Sequence, residues 1–135
     1  MSDHSEEEDF HGSPDTTQLQ QLVEQTLAWD LRSSEGVPGV DHTLGVIEDI
    51  REQASLLSAV LHAAVERMPQ DSDLCRRVQA TLSEARGRLT DGIPRDQRRA
   101  AERAQNLARL GQALLQAVHL VEHEAPDSLS PPPRT

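Results

Sequence analysis

The chain has 135 residues, 23 acidic and 13 basic side chains, a net charge of −10 and one cysteine, Cys75. That length suits a single domain with one modest core, and the charge argues against general binding to nucleic acid or to an anionic membrane. One thiol cannot close an internal disulfide, which argues against a secreted, disulfide-built scaffold.

Residues 1–15 (MSDHSEEEDFHGSPD) are acidic and polar and read as a disordered tail, in which only Phe10 has the apolar area to dock. The N-terminus has no apolar stretch of the kind a signal peptide needs, so the expected compartment is the cytoplasm. A first helix is expected over Thr16–Ser33, capped by Asp15 or Thr16. Its inward face is Leu19, Leu22, Val23, Thr26, Leu27 and Leu31. Trp29 lies beside that face, where an indole packs at the core rim with its N–H toward water. The sharper reading makes Trp29 a ligand contact.

Gly36, Pro38 and Gly39 punctuate a loop over residues 34–40. Helix two follows from an Asp41 cap and runs from His42 to Met68, where Pro69 stops it. Ile47, Ile50, Ala54, Leu57, Leu61, Ala64 and Met68 make its stripe, widened by Val46, Leu56, Val60 and Ala63. Helix three is expected over Ser72–Thr90, capped by Asp71 or Ser72, with Leu74, Val78, Leu82, Ala85 and Leu89 inward. Helix four begins at Pro94 and continues to about Glu124, with Ala104, Leu107, Gly111, Leu114, Val118 and Val121 at three-four spacing. Gly111 in mid-helix suggests a close helix crossing. Residues 125–135 are a Pro-rich tail. Short loops and no strand signal give an all-α, up-down-up-down four-helix bundle over 16–124, flanked by disordered tails.

Helices one and three are then roughly 27–29 Å long and helices two and four roughly 40 and 46 Å. The connection from helix three to helix four is tight, so their shared ends are aligned and helix four overshoots by roughly 18 Å at its C-terminal end. That stretch carries Leu114, Leu115, Val118, Leu120 and Val121, too apolar to stand in water. Two readings cover it: a partner surface, including self-association as a homodimer, or burial under helix two or the N-terminal tail.

The charge is uneven: residues 1–60 carry −11, whereas residues 74–111 hold nine Arg against four acids. Arg95, Arg98, Arg99 and Arg103 crowd the first turns of helix four, where the helix dipole disfavours cations, so a counter-charge is expected nearby. The candidates are Asp91, Asp96, Glu102, the acids Glu48, Asp49 and Glu52 of helix two, or an acidic protein partner. Nucleic acid is disfavoured by the overall charge and the near absence of aromatics.

His119-Leu-Val-Glu122-His123 matches the H-x-x-E-H pattern of inverted zinc peptidases, in which two His one turn apart bind zinc and Glu acts as base. No third ligand follows at a suitable distance, so no metal site or cofactor is expected, and His119 and His123 stand only as the best available pair. No Glu-x-x-His occurs on a helix, which excludes the di-iron bundle pattern. Cys75 begins helix three beside Arg76 and Arg77, a setting that lowers a thiol pKa, but packing beside Leu74 is the favoured reading.

The passage LLSAVLHAAVERMPQDSDLCRRVQATLSEARGRL resembles a group of small helical proteins of unknown function from filamentous actinomycetes, some encoded near natural-product biosynthesis genes. The likeness covers residues 44–122 and rests on the Leu/Val stripe, the Pro-acid turn and the SEARGRL ending. It implies a helical fold and carries no catalytic motif.

The expected function is a non-catalytic protein-interaction or regulatory module. Leu115, Val118, Leu120 and Val121 on one side, and Arg95, Arg98, Arg99 and Arg103 on the other, are its partner-binding candidates. An alternative is a small-molecule-binding accessory protein of secondary metabolism using Trp29. The third reading, a metal-dependent enzyme built on His119, Glu122 and His123, lacks a converging acid, base and nucleophile set.

Overall fold

The structure, a computed structural model, describes residues 14–129 with the exception of 91 and 93. The expected N-terminal tail up to residue 13, Phe10 with it, and the last six residues of the Pro-rich tail lie outside the described residues. Four helices make up the domain: α1 Thr17–Leu27, α2 Val40–Glu66, α3 Asp73–Leu89 and α4 Gln97–Glu124. There is no strand among the described residues, and no helix there is long and apolar enough to cross a membrane.

Contacts between ends fix the directions. Gln97 at the start of α4 donates to the carbonyls of Val37 and Pro38 just before α2, and Arg67 after α2 donates to the Ser128 carbonyl after α4, so α2 and α4 run parallel. The Gln105 side chain meets the end of α1, while Gly111, farther along α4, faces Leu19 and Val23, so α1 is antiparallel to α4. α3 is antiparallel to α4 as well, for Arg103 reaches Arg88 and a groove farther down pairs Arg77, Ala80 and Thr81 with Ala113, Gln116 and Leu120. The long helices α2 and α4 pack on one another along the bundle's short diagonal, and α1 and α3 flank them on opposite sides, with no close backbone approach to each other among the described residues.

The apolar stripes read from the sequence face inward. Ile47, Ile50, Ala54, Leu57, Leu61, Ala64 and Met68 are buried, as are Ala104, Leu107, Leu114, Val118 and Val121 of α4. The helix-two set meant to widen the stripe divides: Val46 and Val60 pack against the core, but Leu56 is 59% exposed. A Cβ on Gly111 would stand 3.1 Å from Val23 and 3.3 Å from Leu19, so the glycine does serve a close crossing of α4 with α1.

Several boundaries differ from the sequence reading, among them the end of α2 at Glu66, two residues before Met68. α1 stops at Leu27, six residues early, because the Asp30 carboxylate accepts from the backbone N–H of Arg32, two residues on, and turns the chain away from the helix. α2 starts at Val40 with Gly39 at the cap position. Asp41 is therefore in the first turn rather than capping it. α4 starts at Gln97, not Pro94, because Asp96 supplies the cap, its carboxylate accepting from Arg99 N at 3.0 Å. Ser72 caps α3 as expected, accepting from Cys75 N at 3.1 Å.

Residues 126–129 are not tail. Pro126–Ser128 form a 3-10 turn that touches α2 and α4, and Leu129 is buried in the core. Leu129→Ala should cost about 2 kcal/mol or more in a denaturant melt. A loss below about half a kcal/mol would show that the turn does not hold the bundle's end.

Candidate interaction surface

The α4 overshoot lies at the other end from the one expected. Arg88, one residue before the end of α3, is level with Arg103, two turns into α4, where Arg103 Nη2 donates to Arg88 O at 2.5 Å. The connection after α3 climbs before α4 begins, so the shared ends are not aligned and α4 projects past α3 at its N-terminal side. The C-terminal half of α4 is sheathed instead by α2, α3 and the 3-10 turn. Val118 and Val121 are buried in the chain's own core, and Leu115 and Leu120 are half-buried against it. Val118 and Val121 are therefore not surface groups open to a partner. α2 is the helix that α4 packs against most extensively, and the N-terminal tail up to residue 13 lies outside the described residues.

The projecting first turns of α4 are built against the segment that follows α1. Gln105, itself 9% exposed, donates from Nε2 to Thr26 O at 3.1 Å and to Trp29 O at 3.0 Å, tying down the backbone just past α1, where Thr26 O also accepts from Trp29 N. Arg98 donates to the Leu31 carbonyl. Asp30 accepts from the Arg32 guanidinium at 3.0 Å and from the Arg32 backbone, and these bonds hold its carboxyl below the usual range. Gly36 backs the same turn: a Cβ there would fall 1.8 Å from Asp30 O.

These contacts frame an open cleft of about 540 Å³ between the post-α1 segment and α4. Trp29, Arg32, Arg98, Glu102, Gln105 and Arg109 line it. Trp29 is half-buried, tilted against His42 with ring centroids 6.1 Å apart. Arg95, Arg98 and Arg99 are exposed, and among the described residues none of them forms an ion pair with a carboxylate. Arg103 differs from the other three. It is half-buried and its guanidinium donates to the Arg88 carbonyl at the end of α3. Of the expected counter-charges, Asp96 is engaged as the cap and Asp91 lies outside the described residues.

The cleft's walls were only partly foreseen. Arg32, Arg109 and Gln105 did not stand out. Gln105 carried one usable signal, a polar residue next to the buried Ala104 in a helix whose neighbour must end nearby.

Gln105→Leu keeps the bulk and removes both bonds, leaving two carbonyls without that donor. A loss of about 1–3 kcal/mol in chemical denaturation is expected, with a red shift of Trp29 emission as the segment loosens. Unchanged stability would mean that water satisfies those carbonyls equally well.

The remaining candidates stay apart. His119 and His123 are exposed and stacked on one another, with centroids 5.3 Å apart. Elsewhere, the α2 residue His62 borders a groove against α3 with Gln79, Ser83 and Arg86. Among the described residues no three His, Cys, Asp or Glu side chains converge as a metal site. Cys75 is fully buried and packs in the core.

A family model matches residues 17–124, a span that takes in all four helices. No curated protein matches the chain, and no solved structure does. The chain belongs to the family of unknown function DUF6415.

Proposed function

We propose that this DUF6415 member is a non-catalytic interaction module that docks an acidic segment of a partner protein on the basic end of α4. One observation carries the reading: Arg95 and Arg99 stand exposed at the N-terminal end of α4 without an ion pair among the described residues. The helix dipole makes that end already positive, so an isolated chain holds these cations at some cost. An anionic partner removes the cost and gains from it. The neighbouring cleft adds Trp29, an amphipathic anchor of the kind enriched in interfaces. On a chain of net charge −10, a localised basic site orients an acidic partner and repels it elsewhere. The cytoplasm is the compartment this reading assigns, where the buried Cys75 stays a thiol.

The test is capture from the native host with the full chain and with an Arg95→Glu/Arg99→Glu chain. Proteins retained by the first and lost by the second, with capture weakened by salt, are the expected result. Identical sets from both would move the docking surface elsewhere.

A second reading gives the cleft to a small anionic molecule, favoured by its volume of about 540 Å³, within the range of small-molecule sites. Trp29 is the chain's only tryptophan, so its emission separates the two. Quenching by a small aromatic acid but not by the captured partner would favour the molecule.

A further inference from the structure

We infer that His119 and His123 form a two-imidazole binding site for a first-row divalent transition metal. The residues lie one helical turn apart near the end of α4, both side chains exposed. Their rings are stacked, with centroids 5.3 Å apart and planes inclined by 28°. A metal–nitrogen bond is about 2.0–2.1 Å, so two imidazoles sharing an ion have centroids about 4.5–5 Å apart. The centroid separation is thus close to that of a chelate, and the one-turn spacing holds the two rings on one helix face before an ion arrives. Imidazole nitrogens suit Cu²⁺, Ni²⁺ and Zn²⁺ and not Mg²⁺ or Ca²⁺, with Cu²⁺ the tightest. No third His, Cys, Asp or Glu of the described residues completes a closed site, so the remaining coordination positions go to water. The site is a reversible surface chelate and not a structural metal centre.

The probe is Cu²⁺ alone, titrated calorimetrically into the full chain in a non-coordinating buffer. Saturable binding of one ion per chain is expected. His119→Ala and His123→Ala should each weaken it by about tenfold or more, because a chelate becomes a single ligand. His62→Ala should leave it unchanged. In the unsubstituted chain, Cu²⁺ should broaden the imidazole proton resonances of His119 and His123 before those of His42 and His62, a readout that needs no variant. Absence of saturable binding overturns the inference. So does a titration that either single substitution leaves unaltered, or broadening that begins at other histidines.

Discussion

Leu114→Ala should lower the unfolding free energy by about 2–5 kcal/mol, and Leu115→Ala, one residue on, by less than about 1.5 kcal/mol. Leu114 is fully buried, and α2 is the neighbour that α4 packs against most extensively. Removing its isopropyl group leaves a cavity that rigid helices on several sides cannot close. Leu115 is half-buried at the edge of the core, where water fills the space left behind. Urea melts of the two variants measure the contrast. Equal and small losses would mean that the C-terminal half of α4 is loosely held and available to a partner after all.

Gly111→Leu should be as damaging by the opposite route. A bare Cβ at this position already stands within 3.1–3.3 Å of Val23 and Leu19, closer than ordinary contact allows. Alanine gains helix propensity of about 1 kcal/mol over glycine and asks its neighbours to give by a few tenths of an ångström, so Gly111→Ala should sit near neutral. Leucine adds three further carbons where there is no room, and α1 must be displaced. A loss of about 3 kcal/mol or more is expected, since Leu19 and Val23 are the buried side chains at the crossing that the new side chain would displace. Because α1 carries Trp29 just beyond its end, emission should shift to the red in the same variant. A Gly111→Leu chain as stable as the parent would show that the α1–α4 crossing is not close in solution.

The bundle was legible because its information is periodic. The three-four stripes of α2, α3 and α4 mark inward faces that the structure confirms almost residue by residue. Even the reason for Gly111 could be read, since a glycine inside an apolar stripe signals approach. The helix offsets could not be read in this way. Periodicity reports which face of a helix is buried but is silent on how far one helix slides along another. That slide decided the sites: it sheathed Val118 and Val121, and it left the Arg-rich start of α4 projecting beside Trp29. Helix ends were misjudged where a local side-chain bond outcompeted the pattern, at Asp30 and at Asp96. The C-terminal turn was hidden because proline-rich composition suggests a tail, while Leu129 alone carries the apolar area that pins it.

The central claim is that Arg95 and Arg99 are held for a partner and not for the fold. Thermal melting of an Arg95→Glu/Arg99→Glu chain in low and high salt tests it most directly. If the claim holds, the substitution places acids on the positive end of α4, with Glu at position 99 completing a reciprocal cap with Asp96. The melting temperature should then rise at low salt, by an amount equivalent to a few tenths to about 1 kcal/mol per side chain, and the gain should fade in high salt. A melting temperature that falls in low salt would mean that the two arginines already answer charges within the chain, and would contradict the docking surface proposed for them.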